Sequence, residues 1–387
     1  MEWNPFSIEA QTDPYPIYRW LRDEAPCYYN EQTQMWALSR FQDVLDATLD
    51  PASFSSETRG PGPGSMFIST DPPDHTPRRN LVSSAFTPRS IARLEPWIRE
   101  ITVEHLDALG DRPSFDLIGD FAKKLPLAII CAMLGIPDED RTYLQSLGDR
   151  FLARDPGQAT PPPDVEVAYQ ECIDYFRPVY RDRRASPRDD LLTRLACGEL
   201  RQPDGSTGPM GEVEFGENGL MLTTAGNETT TKLIGNLAYE LWRNPSQRSE
   251  LVANPSLIPN AVEESLRHDA PSQWQNRVAA RDLVVHGREI PKGAFVALIT
   301  GAGHRDERKY PDPDRFDIHR EIDVHVGLGY GHHICLGKSL ARLEGRIALE
   351  ALLTRFPDYE IRTEGLERTR SANVSGFSVM PVEAGGR

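Results

Sequence analysis

Gly327-Leu-Gly-Tyr-Gly-His-His-Ile-Cys-Leu-Gly337 runs without a break into KSLARLEGRIALEALLTRF (338–356), and the nature of this junction decides how the chain is read. Three alternating glycines, Gly327, Gly329 and Gly331, and two histidines precede a single cysteine, Cys335. Glycine takes up backbone conformations other residues resist, so such a loop can fold closely around whatever the sulfur holds. Beyond it Leu336, Leu340, Leu343 and Ile347 recur at helical spacing, which places Cys335 where a helix begins. The dipole and free N–H groups of a helix N-terminus favour an anionic sulfur. The stretch is a site for a thiolate.

Three uses of a thiolate compete here. A zinc site needs further Cys or His at short spacing, and His332 and His333 are the near candidates. A phosphate loop needs G-x-x-x-x-G-K-[ST]. Gly331 to Ser339 ends in Gly337-Lys338-Ser339, but five residues separate its glycines. The third use is a haem held by one axial cysteine, whose thiolate pushes electron density onto iron and favours O–O cleavage.

The chain of 387 residues has ample capacity for a core, and length alone suggests two or three domains. A net charge of −15, with a pI near 5.1, argues against a nucleic-acid or anionic-membrane surface. Five scattered cysteines (Cys27, Cys131, Cys172, Cys197, Cys335) fit a reducing setting without a disulfide framework. MEWNPFSIEA carries no basic region or apolar core, so no signal peptide is expected. The apolar run 125–137 is too short to span a bilayer and predicts a buried helix. A soluble, cytoplasmic protein with no membrane anchor is expected.

Met35 to Leu38 is strand-like, and the loop Arg59-Gly-Pro-Gly-Pro-Gly64 cannot be regular structure. A helix is expected from His75, with Pro77 tolerated in its first turn. Helices dominate 91–195, interrupted by the proline-dense stretch 155–163. A long helix spans Glu212 to Arg243, although its centre, Thr223-Thr-Ala-Gly-Asn-Glu-Thr-Thr-Thr231, is poor in helix formers and needs packing or chemistry to justify it. A helix from Ile258 to His268 follows. The segments 283–286, 289–291, 295–300, 359–362 and 377–382 are strand-like.

Several separated stretches resemble the cytochrome P450 haem-thiolate enzymes, nearly over the whole chain from about Asp13. LGYGHHICLG is similar to the family's haem-cysteine signature, F-G-x-G-x-H-x-C-x-G, with Leu328 in place of phenylalanine, a swap expected to alter packing and haem potential rather than ligation. Glu264 and Arg267 match E-x-x-R, and Arg315, in Pro313-Asp-Arg-Phe316, looks like the third partner of a structural network. Ala225-Gly226-Asn227-Glu228-Thr229 is similar to A-G-x-[DE]-T of the family's distal helix. There the glycine leaves room for dioxygen, and the hydroxyl beside a carboxylate passes protons. His75 and Arg79 resemble a pair of haem-carboxylate ligands, and Arg277 resembles another.

The resemblance implies a single domain over 1–387, mainly α with a minor β region, in which a long distal helix lies over the haem and the cysteine loop beneath it. It implies haem b (iron protoporphyrin IX) on Cys335, with His333, His75, Arg79, Arg277 and Gly329 around it, and Thr229 and Glu228 as the proton relay. The implied reaction inserts one oxygen atom of dioxygen into a hydrophobic small molecule. A ferredoxin, reduced by an NAD(P)H-dependent ferredoxin reductase, would supply electrons to a monomer. A haem-thiolate sensor or electron carrier is the rival. By analogy the substrate pocket draws on 59–69, 155–166, 220–225, 272–276, 297–300 and the turn at Phe377, offering Phe67, Met221, Leu222, Ala225, Trp274 and Phe377 to a terpenoid, steroid, fatty acid, aromatic or macrolide-like molecule. Lys338, Arg342 and Arg346, at i, i+4 and i+8, form a basic stripe that could steer an acidic electron donor.

Overall fold

The computed structural model describes residues 1–57, 66–155, 157–202 and 205–385. The glycine-proline loop 59–64 and Pro156 lie outside the described residues. The helices that frame the site are α1 (His75–Ser83), α2 (Lys124–Leu134), α3 (Arg141–Leu152), α4 (Asp164–Ala185), α5 (Glu212–Arg243), α6 (Ile258–His268) and α7 (Lys338–Arg355). The expected ranges of α5 and α6, and the start of α1, agree with what is observed.

The central helix α5 explains its own odd composition. Acidic Glu212 and Glu214 in its first turn and Arg243 in its last complement the helix dipole. The hydroxyls of Thr223, Thr229 and Thr231 each donate to the carbonyl four residues back, at 2.8, 2.7 and 2.9 Å, so these polar groups are satisfied within the helix. Glycine lets neighbours approach. A Cβ on Gly216 or Gly219 would stand 2.8 Å from Ile173 or Phe176 of α4, and one on Gly226 would stand 2.8 Å from Ile130 of α2. Gly226 therefore allows a close helix contact, a reason beyond the expected room beside the helix, and it also borders the cavity described below.

A mixed sheet flanks the helices. Its strands are β1 (Cys27–Asn30), β2 (Met35–Leu38), β3 (Phe54–Ser55), β4 (Gln275–Ala279) and β5 (Phe295–Leu298), ordered β1-β2-β5-β4-β3. Only β5 and β2 run parallel, and the register sets Arg277 opposite Val296. A large apolar core fills the space between α2, α5 and α7, and smaller clusters back the two faces of the sheet. Among the described residues no helix is long and apolar enough to cross a membrane.

The cysteine loop departs from expectation by three residues. Gly329 and Gly331 hold φ of +69° and +65°, conformations that other L-residues rarely adopt. A single 3₁₀ turn spans Gly331–His333, and α7 starts only at Lys338, after the cap at Gly337. Cys335 thus precedes the helix, its N–H donating to Leu328 O at 2.6 Å.

Candidate active site

A cavity of about 270 Å³ lies between α5 and the cysteine loop. One side is apolar, built from Phe67, Ile68, Phe86, Ile130, Met221, Leu222 and Ala225; on the other stand Leu328, Gly329, His333, Cys335 and the first turns of α7. Thr229 faces the same space from α5.

The sulfur of Cys335 accepts from the Gly337 N–H. Burial pushes the thiol up, and Gly337 together with the nearby Arg79, Arg342 and Lys338 pulls it only partly back. The helix terminus alone does not make the thiolate; a metal cation that binds sulfur displaces the proton. Among the described residues no group of three or more His, Cys, Asp or Glu is placed to hold a metal ion, so the zinc reading finds no ligand set.

Beside the sulfur stands a cluster with unused hydrogen-bonding capacity. His75 is 2% exposed, yet neither ring nitrogen has a partner among the described residues, and His333 Nε2 is likewise unpaired among them. Their rings lie 4.3 Å apart. Burial lowers His75 to about 4, helped by Arg79 and His332. It lowers His333 to about 3, helped by His75, Arg277, Arg79 and His332. Arg79 donates to Ile334 O, and Arg277, on buried β4, donates to Asn276 O at 2.7 Å. The nearby carboxylate, Asp71, is already taken by the Ser55 hydroxyl and the Ser56 N–H. Such a cluster suits an external anion with more than one carboxylate. An iron porphyrin, with its two propionates, a metal for the sulfur and an apolar disc for the walls, fits these residues.

The two candidates for the proton relay separate. Consecutive helix residues point about 100° apart, so Thr229 faces the main cavity while Glu228 faces a second one of about 10 Å³. There Glu228 pairs with Lys232 at 3.0 Å, and Lys232 also donates to Phe377 O at 2.9 Å. Thr224 and Asn227 of α5 and Gly148 and Asp149 of α3 line this second cavity, where Thr224 Oγ1 has no partner among the described residues.

Other expectations need correction. Trp274 does not line the cavity: its indole N–H is bound to Ala372 O at 2.7 Å and its ring packs on Trp3. Phe377 is 1% exposed, wedged against Tyr239 and Arg368. The stretches 155–166 and 297–300 contribute no lining residue among those described, whereas the expected stretch 272–276 contributes Ser272 and Gln275, joined by Pro271 just before it. Arg315 is not the third member of the network. Its side chain is 63% exposed and pairs with Asp317, whereas Arg320 reaches Glu264 at 3.2 Å. Glu264 and Arg267 pair twice, at 2.7 and 2.8 Å, fully buried. The basic stripe on α7 is partly neutralised: Arg342 pairs with Glu263 and Arg346 with Glu95, leaving Lys338 as its cation without an ion pair among the described residues.

Glu344 was missed. It is 1% exposed, lies on the cavity wall, and its Oε2 has no partner among the described residues; burial alone raises it well above the usual carboxylate range. The signal was present, since Glu344 sits four residues after Leu340 on the apolar stripe of α7.

A model of the family described as "Cytochrome P450" matches residues 164–381. The putative cytochrome P450 123 of Mycobacterium tuberculosis is 39% identical over 99% of this chain and 97% of its own length. The cyclomarin C epoxidase CymV of Salinispora arenicola is 38% identical over 93% of this chain and 94% of its own length. Among solved structures, CYP109E1 from Bacillus megaterium in complex with testosterone superposes with a TM-score of 0.90 at 29% identity, over 98% of this chain and 99% of that one.

Proposed function

Because this chain belongs to the cytochrome P450 family, whose members are monooxygenases, we propose that it is a haem b-dependent hydroxylase of hydrophobic small molecules, acting as one domain over 1–387 in the cytoplasm. The observation that carries the reading is the single cavity that brings Cys335, Thr229 and an apolar wall together. Haem b bound there supplies a redox-active iron that activates dioxygen for insertion of one oxygen atom into a C–H bond. Cys335 would hold its iron, and His75, His333, Arg79 and Arg277 its carboxylates. Gly329, too tight for a side chain beside His333 O, keeps the loop close.

The protein's own residues do the remaining work. Phe67, Met221, Leu222 and Ala225 bind the substrate and exclude water. Thr229 Oγ1, now donating to Ala225 O, can instead offer its proton to the cavity. Glu228 takes up protons at the second cavity, and reaching Thr229 requires it to leave Lys232. A ferredoxin, reduced by its NAD(P)H-dependent reductase, would dock near Lys338. Solved relatives described with testosterone, with erythromycin B or with a hexadecenoic acid on an acyl carrier protein support an apolar substrate without choosing among skeletons.

The test is an absorption titration of the ferric protein with a panel of terpenoids, steroids, fatty acids and macrolides. A low-spin to high-spin shift with one class, followed by oxygenated product, supports the reading. Electron consumption without product across the panel would favour the sensor or electron-carrier alternative, and a protein that takes up no haem would overturn both.

A further inference from the structure

One part of the cavity wall is chemically unlike the rest. Ser272 and Gln275 line it, on the segment between α6 and β4. Thr300 is fully buried, and its hydroxyl lies 2.7 Å from Gln275 Oε1, the length of an O–H···O bond. Turning the amide over would leave the Thr300 hydroxyl buried without an acceptor, which costs more than the bond is worth. Gln275 Oε1 therefore faces Thr300, and its Nε2 donates to Ser272 Oγ at 3.3 Å. The order of donation is Thr300 to Gln275 to Ser272. At its end the Ser272 O–H and the second Nε2 proton of Gln275 have no acceptor among the described residues, and they stand side by side on the cavity.

The backbone under this pair is fixed. Ser272 bridges to Val374, the Gln273 N–H donates to Asn373 O at 2.7 Å, and the Ser375 N–H donates to Pro271 O at 2.8 Å. The donors cannot follow a substrate that lacks an acceptor. Nor do they offer a full positive charge, since the cation lining the cavity, Arg79, sits with the imidazole cluster and is bound to Ile334 O.

We propose that Ser272, held by Gln275 and Thr300, is a substrate-orienting residue that hydrogen-bonds a neutral carbonyl oxygen, so that the substrate is an uncharged ketone, ester or lactone on an apolar skeleton. This rests on the reading of the cavity as the substrate site and deepens it. Two adjacent donors match the two lone pairs of one carbonyl oxygen, while the wall of Phe67, Met221 and Leu222 takes the hydrocarbon part.

The experiment uses the haem-loaded protein with matched probes: cyclododecanone against cyclododecane, 2-adamantanone against adamantane, 5α-androstan-17-one against 5α-androstane, and dodecanoate as the charged comparison. Affinity is read by equilibrium dialysis and by spin-state shift, and the bound ketone by the infrared stretch of its ¹³C-labelled carbonyl. At least one ketone is expected to bind about five- to tenfold more tightly than its hydrocarbon. Ser272→Ala should reduce that ratio to about two or less with hydrocarbon affinity kept, Ser272→Thr should retain it, and the carbonyl stretch should rise in the alanine variant. The proposal is overturned if no ketone outbinds its hydrocarbon, if dodecanoate binds more tightly than every ketone, or if the preference and the stretch survive Ser272→Ala. Hydrocarbons that shift the haem spectrum with no ketone preference would overturn this proposal and leave the monooxygenase reading standing.

Discussion

Replacing Arg320 by methionine should destabilise the protein where replacing Arg315 does not. Glu264 is wholly buried, and its carboxylate receives Arg267 twice, Arg320 once and the Asp317 N–H at 2.9 Å. Arg320 also ties down the carbonyls of Pro311, Asp312 and Arg315 at 2.7, 3.0 and 2.9 Å. Losing Arg320 leaves Glu264 partnered, so the cost is that of a charge-assisted hydrogen bond, about 1.5–3 kcal/mol. Arg267→Met instead removes both of the shortest ion-pair contacts and leaves the buried carboxylate with only Arg320 and the Asp317 N–H, so it should cost more, about 3–5 kcal/mol, a large share of a typical stability of about 5–15 kcal/mol. Arg315 is in solvent, and its methionine variant should unfold with the wild type. The assay is urea unfolding of the haem-loaded protein, followed by tryptophan fluorescence and haem absorbance together. The expected order of midpoints is Arg315→Met highest, then Arg320→Met, then Arg267→Met, with haem lost early in the last two because the loop 311–320 leads into the cysteine loop. An Arg315→Met variant as labile as Arg320→Met would refute this assignment of the network.

Two further expectations follow from single residues. Burial holds Glu344 protonated in the folded state, so its contribution is favourable below its unfolded pKa of about 4.3 and is lost as pH rises toward the folded value. Glu344→Gln removes that dependence, so its melting temperature should gain on the wild type progressively from pH 5 to pH 8, with a slope of up to about 1.4 kcal/mol per pH unit; parallel curves would show that Glu344 is ionised or exposed. Lys338→Glu should slow reduction by ferredoxin several-fold, and more than Arg346→Glu, because Arg346 is already paired with Glu95. Equal effects of the two, or equal loss of peroxide-supported turnover, would remove Lys338 from the docking surface.

Local signals carried most of the fold and the centre of the site. Periodicity and end residues defined α5 and α6, and the glycines ahead of Cys335 marked a loop that must bend where side chains do not fit. What sequence could not supply was direction. Glu228 and Thr229 are adjacent in the chain yet face different cavities, because a helix turns about 100° per residue. Arg315 and Arg320 lie in one irregular loop, where no periodicity says which guanidinium turns inward. Trp274 and Gln275 are neighbours too, yet at the entry to β4 one side chain packs on Trp3 and the other lines the cavity. Ile130 was legible as buried, but its place on the cavity depends on how closely Gly226 lets α2 approach. The glycine signalled closeness without naming the neighbour.

The proposed function stands on Cys335 holding a haem iron through its sulfur. The direct measurement is the absorption spectrum of the reduced carbon monoxide complex of the wild type and of Cys335→His, each checked for fold by circular dichroism. The wild type should show a strongly red-shifted thiolate-type Soret band. In Cys335→His that band should be replaced by the shorter-wavelength band of a nitrogen-ligated haem, with helicity unchanged. A wild type that binds no haem, or a Cys335→His protein that keeps the thiolate band, would contradict it.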